Sequence, residues 1–287
     1  MRKTHWTLIL LLASSLCLSS CGGGQGGTAP QPPASPAPAW QLVWSDEFNG
    51  TSLDAANWTL ETGGAWFNNE LQYYTAGDNL AVQGGVLTIT ARQQAYGGRQ
   101  YTSSRMMTKG KASWTYGKVE ARIKLPYGQG MWPAFWMLGD NIDTVQWPQC
   151  GEIDIMEMVG GTGAGGVNRN AVAVGSLHRP NSNPAQSSIP KSLTAQYLNP
   201  GNVNLGDDFH VFTVEWDSSS MKYLVDGNLY QTIDISSNAD GFEVFRKPFF
   251  IVLNLAVGGD WPGAPDQTTV WPQTMQVDWV RVYQPSK

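Results

Sequence analysis

Charge is scarce in this sequence. Charged residues make up 14% of its 287 residues, whereas about a quarter is typical of soluble proteins. The 18 basic and 23 acidic side chains leave a net charge of −5, so the chain has no excess of cations to offer a phosphate backbone. This balance argues against a nucleic-acid partner held through a basic face.

Long apolar runs are also missing, apart from one at the N-terminus. Arg2 and Lys3 precede a stretch of apolar and small residues that ends at Leu18, too short to span a bilayer as a mature helix. We therefore predict a secretory signal peptide over residues 1–20. Residues 18–21 (LSSC) resemble the bacterial lipobox, which predicts lipid attachment to Cys21. The alternative is an ordinary signal peptide followed by a chance cysteine.

The segment that follows is rich in glycine and proline. Residues 21–39 have no apolar periodicity and are typical of a tether. Gly22, rather than aspartate, follows the cysteine, and similarity to the bacterial sorting rule then indicates the outer membrane. We expect an exported lipoprotein of the outer membrane or cell surface that contacts the membrane only through its lipid anchor.

Cysteine is scarce as well, with three in the chain. Because Cys17 lies in the predicted signal peptide and Cys21 is the predicted lipid site, Cys150 has no partner and no disulfide is expected. A lone cysteine is either a nucleophile or a small buried residue. No histidine lies near Cys150 in the sequence, which favours burial.

No stretch of a dozen residues carries a helical apolar stripe. Apolar and polar residues instead alternate with a period of two, as in residues 119–125 (VEARIKL), which indicates strands. Residues 222–230 (KYLVDGNLY) predict a hairpin that turns at Asp226 and Gly227. Residues 249–257 are nearly all apolar, as in a strand covered on both faces. We predict one all-β domain over residues 40–287, built from two packed antiparallel sheets.

Three carboxylates lie within six residues, at positions 152–157 (EIDIME). On a regular strand Glu152 and Asp154 share one face, and Glu157 falls on the other. A β-bulge with Met156 as the extra residue returns Glu157 to the carboxylate face. Bulges often re-aim side chains beside active sites, so this spacing is itself informative.

Crowded acids on an apolar strand indicate acid–base chemistry. Crowding raises the pKa of at least one acid, which leaves a proton donor beside ionised partners at neutral pH. Glycoside hydrolysis needs such a pair, and carboxyl groups about 5–5.5 Å apart indicate a retaining, covalent mechanism. The alternative is a solvated strand, but such strands usually include lysine and serine, and this segment has neither.

With these acids the sequence resembles glycoside hydrolase family 16, in the laminarinase variant with the inserted methionine. Further segments match in order: 44–48 (WSDEF), 69–75 (NELQYYT), 130–138 (GMWPAFWML), 253–263 (LNLAVGGDWPG) and 277–283 (VDWVRVY). The resemblance implies a concanavalin A-like jelly-roll β-sandwich with a substrate cleft on its concave sheet. It also implies endo-hydrolysis of β-1,3-glucan with retention.

The resemblance assigns roles to individual residues. Glu152 matches the nucleophile and Glu157 the general acid/base, while Asp154 between them would hold the protonation and geometry of the pair. The implied substrate-binding residues are Trp132, Trp136, Arg105, Asn68, Asn69, His178 and Trp261.

Several of these positions have a structural alternative. Trp132 and Trp136 share a face on a strand, but both could be core residues. His178 could equally be a structural histidine, and Trp261 a packing tryptophan. Residues 179–181 (RPN) depart from the family pattern, which leaves the product-side subsites open.

The resemblance implies no cofactor for catalysis and one structural calcium site. Its ligands would be the main-chain oxygens of Glu47 and Gly85 and the carboxylate of Asp278. Oxygen atoms from separate segments suit Ca²⁺. The alternative is that Asp278 is a solvated edge residue.

We predict a monomeric endo-1,3-β-glucanase that acts on β-glucan polysaccharide. Alternatives in the same class are hydrolases of mixed-linkage β-1,3/1,4-glucan, agar or carrageenan. The inserted methionine counts against the lichenase type, and the lack of a basic cleft pattern counts against sulfated galactans. From other classes, a glucan-binding sandwich would not need Glu152 and Glu157, and a purely structural surface lipoprotein would explain neither the acids nor the tryptophans.

Overall fold

The computed structural model describes residues 39–286. The predicted signal peptide, Cys21 and all but the last residue of the predicted tether lie outside the described residues, so lipid attachment and export stay predictions. Between residues 39 and 286, no helix has the length and apolarity needed to cross a bilayer.

The described chain is built almost entirely from strands, as predicted. The single α-helix in this range, α1, spans Ile142–Val145. The strands are β1 (Trp40–Asp46), β2 (Thr59–Glu61), β3 (Gln72–Tyr74), β4 (Leu80–Gln83), β5 (Val86–Tyr96), β6 (Arg99–Ser103), β7 (Arg105–Met107), β8 (Gly117–Lys124), β9 (Met131–Gly139), β10 (Glu152–Glu157), β11 (Val172–Arg179), β12 (Lys191–Leu198), β13 (His210–Trp216), β14 (Ser220–Val225), β15 (Asn228–Asp234), β16 (Phe249–Val257) and β17 (Gln273–Pro285).

Short 3₁₀ helices occur in the connections. They span Phe67–Asn69, Ala164–Gly166, Arg169–Ala171, Pro184–Gln186, Pro200–Asn202 and Phe242–Arg246.

The strands form two sheets. The seven-stranded sheet, which we call the cleft sheet, has the order β12-β11-β10-β9-β16-β7-β2. The ten-stranded sheet, the outer sheet, has the order β15-β14-β13-β8-β17-β5-β6-β3, with β1 paired to β17 and β4 to β5. The pairings are antiparallel except for β3 with β6, which are parallel, so the prediction of two antiparallel sheets is confirmed, with one parallel pair at the edge of the outer sheet.

Alternation places the core between the two sheets. From the cleft sheet, Phe135, Ile153 and Leu253 belong to the same buried cluster as Val214 and Val280 of the outer sheet. The hairpin turn predicted at residues 226–227 joins β14 to β15. The nearly all-apolar segment 249–257 is β16, and each of its residues is buried. Strand β16 is therefore covered on both faces, as its sequence predicts.

A second, smaller cluster covers the other face of the cleft sheet near α1. It consists of Leu138, Cys150, Phe250 and Val252, with Ile142 and Val145 of α1 packed against it. Cys150 is fully buried in this cluster, which confirms the structural interpretation of the lone cysteine. The cluster fixes the segment that leads directly into the carboxylate strand β10.

Three aromatic rings of the main core, those of Trp216, Phe245 and Phe249, pack together beside the start of β10. The ring of Phe249 lies 5.4 Å from that of Trp216 and 5.8 Å from that of Phe245, measured between centroids. Gly151 has a φ of +80°, and a Cβ there would lie 3.0 Å from Phe249 and 2.7 Å from Val244. The residue before Glu152 therefore has to be glycine, both for its backbone conformation and for this close approach.

We expect Phe249→Ala to lower the free energy of unfolding by about 3–5 kcal/mol, since it leaves a cavity in this aromatic group. Urea denaturation followed by tryptophan fluorescence measures the loss. Leu229→Ala, an exposed site on edge strand β15, is the control and is expected to change stability by less than about 0.5 kcal/mol. Equal losses for the two variants would contradict the packing described.

Candidate active site

The acids of β10 lie on one face of the cleft sheet because the strand contains a bulge. Against β9, Asp154 pairs with Trp136 and Met156 with Phe135, so Ile155 is the unpaired residue. Ile155 and Met156 both point into the buried core, and the alternation resets at Glu157. The predicted bulge is therefore present, but against β9 its extra residue is Ile155 rather than Met156.

Each glutamate accepts a hydrogen bond from an indole N–H. Nε1 of Trp132 donates to Oε1 of Glu157 at 2.9 Å, and Nε1 of Trp147 donates to Oε2 of Glu152 at 2.7 Å. A neutral donor orients a carboxylate without neutralising it. Both glutamates are therefore positioned and still able to gain or lose a proton.

Asp154 is buried between the two glutamates and contacts a histidine. Nε2 of His178 lies 3.0 Å from Oδ2 of Asp154 and 3.9 Å from Oε1 of Glu152. The other ring nitrogen, Nδ1, lies 2.7 Å from Oγ of Ser192. The structure thus places His178 in the acid cluster, where an imidazolium form would stabilise the ionised acids.

Burial makes the three acids hold protons at unusually high pH. It raises the pKa of Glu152 to about 8, and the charge of Asp154 adds to the effect. It raises the pKa of Glu157 to about 7, although the N–H of Trp132 opposes the shift. Burial, followed by the charge of Glu157, raises the pKa of Asp154 well above its usual range. Because they interact, the acids titrate together, and at neutral pH the cluster carries at least one proton.

Arg105 is held between two tryptophans at the edge of the site. Its guanidinium lies 4.9 Å from the ring centroid of Trp66 and 4.8 Å from that of Trp136. Its Nε donates to Glu61. The charge of Arg105 is therefore balanced by Glu61, and its remaining donors are held in a fixed plane.

A buried polar chain orients Trp136 from beneath. Its Nε1 donates to Oδ1 of Asn254 at 2.7 Å, and Nδ2 of Asn254 lies 3.2 Å from Oη of Tyr74. Tyr74 and Gln72 both donate to Oε2 of Glu70, at 3.2 Å and 2.6 Å. Trp136 is thus fixed by hydrogen bonds opposite Asp154, its neighbour across β9 and β10, and it also packs against the smaller buried cluster; its role in substrate binding stays a prediction.

The turn containing Asn68 and Asn69 lies beside the end of β16. Nδ2 of Asn69 donates to both carboxylate oxygens of Asp260, at 2.9 Å and 3.0 Å. The main-chain oxygen of Asn68 accepts from the backbone N–H of Asp260 at 2.8 Å. Both asparagines lie near the cleft, and in this structure the Asn69 amide holds the turn.

Trp261 lies at one end of the cleft. Its ring meets that of Trp132 edge to face, with centroids 5.5 Å apart, and 42% of its surface is exposed. It also lines a cavity of about 220 Å³ with Val159, Val174 and Arg169. Val174 pairs with Glu157 across β10 and β11, so this cavity opens beside the Glu157 end of the site.

Arg179 and its neighbours form part of a loop anchor. The side chain of Arg179 is buried, and its Nε and Nη2 donate to the main-chain oxygen and carboxylate of Asp240 at 2.8 Å and 2.9 Å. Lys191 and Ser182 also donate to Asp240. The departure from the family pattern at Arg179 therefore fixes two loops together and supplies no cation to the cleft.

Sequence reasoning missed several residues of the site. Trp147 contacts Glu152, and Glu61 balances Arg105, but neither lies in a segment that suggested chemistry. Asp260 and Asn254 were inside the recognised segment 253–263, and only their pairing with distant partners reveals their roles. Of these residues, only Trp147 lies close enough in the sequence to an acid, five residues before Glu152, for its proximity to have suggested the contact.

The predicted calcium ligands fit the ion poorly. Strand β17 pairs with both β1 and β5, which brings Glu47, Gly85 and Asp278 to neighbouring positions on the outer sheet. Oδ2 of Asp278, however, accepts from Nη1 of Arg122 at 2.7 Å. The only carboxylate among the three predicted ligands is therefore already paired with a guanidinium, which disfavours a calcium ion there. Calcium binding stays a prediction, and the hydrolysis proposed below does not depend on it.

One set of potential metal ligands occurs within residues 39–286: Glu152, Asp154 and His178, whose ligand atoms lie within 4.8 Å of one another. A cation there would occupy two of the acids that carry the chemistry. We interpret the set as a cluster of acids that share protons.

The raised pKa values predict a stability cost at high pH. The unfolded chain releases these protons near pH 4.5 and the native chain near pH 7–8, so the unfolded state binds fewer protons in that interval and stability falls as pH rises. Glu157→Gln removes one such group. Relative to wild type, we expect the free energy of unfolding of the variant, measured by urea denaturation, to rise by about 3 kcal/mol between pH 4 and pH 8. Glu243→Gln, at an exposed site, is the matched control, and a difference of the opposite sign would contradict the burial argument.

Comparisons with known proteins agree with this geometry. A family model described as "Beta-porphyranase A-D, GH16 domain" matches residues 40–285. A beta-glucanase of Rhodothermus marinus is 38% identical over 99% of this chain and 94% of its own length. The clotting factor G alpha subunit of Tachypleus tridentatus is 42% identical over 86% of this chain, which spans only 34% of that protein.

A solved structure has the same fold. The catalytic domain of an endo-1,3-beta-glucanase (laminarinase) from Thermotoga petrophila is 43% identical, with a TM-score of 0.77 over 88% of this chain and 100% of that domain. The predicted jelly-roll sandwich with its cleft sheet is thereby confirmed. The chain belongs to glycoside hydrolase family 16.

Proposed function

We propose that this protein hydrolyses β-1,3-glucan within the polymer, with retention of configuration at the anomeric carbon. The observation that carries the proposal is the pair Glu152 and Glu157. A bulge puts them on one cleft face, each has its own indole donor, and a buried third acid lies between them. Such a pair of carboxyl groups is what a glycosidase needs.

The mechanism has two steps. In the first, ionised Glu152 attacks the anomeric carbon while protonated Glu157 gives its proton to the leaving glycosidic oxygen, so the C–O bond breaks as a glycosyl–Glu152 ester forms. Because the pKa is about 8 for Glu152 and about 7 for Glu157, this reactive form is the minor one of the two forms that the coupled acids share. In the second, Glu157 takes a proton from water, the water oxygen attacks the same carbon, and the ester bond breaks. The indole N–H of Trp147 holds Glu152 in place, and the N–H of Trp132 holds Glu157.

Asp154 and His178 support this exchange. Asp154 lies between the glutamates on the same strand face. The charge on one acid raises the pKa of its neighbours, so the three acids titrate together. Nε2 of His178 lies 3.0 Å from Oδ2 of Asp154 and holds that carboxyl group in place when Glu157 loses its proton. We therefore assign positioning and electrostatic roles to this pair.

Neutral β-glucan is the substrate class that the charges favour. The family model's description names porphyranase, and a sulfated galactan would need a cation available in the cleft. Among the described residues near the site, Arg105 pairs with Glu61 and Arg179 with Asp240. Nη2 of Arg169, beside Trp261, is already engaged by Gln129 and the Gly160 carbonyl. The relatives named beta-glucanase and endo-1,3-beta-glucanase support the neutral glucan.

The substrate assignment is tested by reducing-sugar release from laminarin, lichenan, agarose and carrageenan. We expect laminarin to be cleaved far faster than the other three, with oligosaccharides of several lengths as early products. Release mainly from lichenan would keep the mechanism and change the substrate to mixed-linkage glucan. Retardation by laminarin in affinity gels without any release would support the glucan-binding alternative.

The roles of the two glutamates predict different consequences of replacing them. Glu152→Ala is expected to abolish turnover. Added azide should restore bond cleavage and give a glycosyl azide of inverted configuration, because azide fills the space of the missing carboxylate and attacks the anomeric carbon directly. Glu157→Ala should slow laminarin hydrolysis by about 10²–10⁴-fold, but much less for an aryl glucoside whose leaving group needs no proton. Initial rates and NMR of the products measure both effects.

Glu61→Gln is a useful comparison for these variants, because it removes a carboxylate that balances Arg105 but takes no part in bond cleavage. It should weaken substrate binding and show no azide rescue. Near-wild-type turnover by both Glu152→Ala and Glu157→Ala would refute the assignment.

A further inference from the structure

Phe67 is the most exposed large apolar side chain in the described part of the protein. Its relative exposure is 84%, followed by 66% for Val270. The ring of Phe67 has no aromatic neighbour among residues 39–286, whereas Trp66 beside it packs on Tyr74. Phe67 therefore contributes little to the core and presents a flat apolar ring to the solvent.

The turn that carries Phe67 is held rigidly. Asn68 and Asn69 have φ values of +57° and +55°, a left-handed conformation that costs on the order of 1 kcal/mol or more per non-glycine residue. Asp260 fixes the turn through the Asn69 amide and the Asn68 carbonyl. The backbone N–H of Glu70 donates to the carbonyl of Phe67 at 3.2 Å. The ring thus projects from a fixed backbone.

The turn stands at the rim of the cleft. A Cβ at Gly259 would lie 2.8 Å from the main-chain oxygen of Asn68 and 3.5 Å from the ring of Trp132. The backbone N–H of Leu71 donates to the carbonyl of Val257 at the end of β16. Since β16 is two strands from β10, the turn lies about 10 Å or more from the carboxylate strand, beyond the sugar unit that is attacked.

We propose that Phe67 is a stacking platform for a pyranose ring of the glucan, remote from the bond that is cleaved. This inference rests on the proposed function, and it adds a binding position to the same cleft. The C–H face of a glucose unit matches a flat apolar ring. A phenylalanine loses only two rotatable angles on binding, and here its backbone is already fixed, so the ordering cost is small.

The position of the ring makes a polysaccharide a better occupant than a membrane. The turn that carries Phe67 lies against Gly259 and, through it, beside Trp132, and Trp66, the residue before Phe67, stacks with Arg105. A chain bound over the acids and extended towards β16 would pass this turn. A bilayer that received Phe67 would instead cover the cleft opening.

The test compares full-length wild type with Phe67→Ala, Phe67→Tyr and the control Leu229→Ala, an exposed apolar site on the outer sheet. We expect Phe67→Ala to raise KM for laminarin by about three- to tenfold without changing kcat. For the shortest laminari-oligosaccharide that is cleaved, KM should stay unchanged, because it does not reach the turn. Phe67→Tyr should restore the wild-type KM, and Leu229→Ala should match wild type.

Binding without turnover separates this inference from the proposed function. Calorimetry of long laminari-oligosaccharides with E152Q and with the double variant E152Q/F67A should give a Kd about three- to tenfold weaker for the double variant. If wild type fails to cleave laminarin, the proposed function fails, and this binding comparison still decides the role of Phe67.

Three results would overturn the inference. The first is equal KM and equal Kd with and without the Phe67 ring. The second is a loss of kcat on every substrate together with a lower unfolding midpoint, which would make Phe67 structural. The third is weaker binding of Phe67→Ala to phosphatidylglycerol vesicles with unchanged KM, which would make it a membrane contact.

Discussion

The bulge at Ile155 and Met156 is the constraint on which the site depends. In an unbroken strand, Glu157 would point into the core, where an acid without partners could not stay ionised. Two consecutive apolar residues enter the core instead, and Glu157 joins Glu152 and Asp154 above the sheet. The hydrophobic side of the strand and its catalytic side are therefore set by the same irregularity.

The surroundings of these acids keep them reactive. A lysine or arginine beside Glu152 or Glu157 would stabilise the sheet but would hold the carboxylate permanently ionised. The partners present are indole N–H groups and one histidine. They fix each carboxyl group in space while burial raises its pKa. The raised pKa values lower the free energy of unfolding at neutral pH, but they give a cluster of acids that can exchange protons.

The sequence predicted those parts of the molecule that depend on local pattern. Alternation identified the strands, the spacing of residues 152–157 required a bulge, and the nearly all-apolar segment 249–257 is buried on both faces. The exact extra residue of the bulge could not be deduced, because both Ile155 and Met156 suit the core. The parallel pairing of β3 with β6 also has no local signature.

Contacts between distant segments account for the rest. Asp260 meets Asn69 across 191 positions, and Asn254 meets Tyr74 across 180, so no spacing in the sequence could reveal either pair. Trp147 lies near Glu152 in sequence, but its contact depends on the direction of the loop after α1. The family resemblance located cleft residues that pattern alone could not, yet it gave no information on which of them hold one another.

The scarcity of charge becomes meaningful once these contacts are known. Arg105 and Arg179 are each balanced by a carboxylate, and Nη2 of Arg169 beside Trp261 donates to Gln129 and to the Gly160 carbonyl. Three acids are clustered on β10. Three clustered acids beside a single arginine without an acid partner do not supply the excess of cations that a polyanion would need. A neutral polysaccharide is instead held by flat rings and hydrogen bonds that carry no net charge, so its binding should be nearly independent of ionic strength.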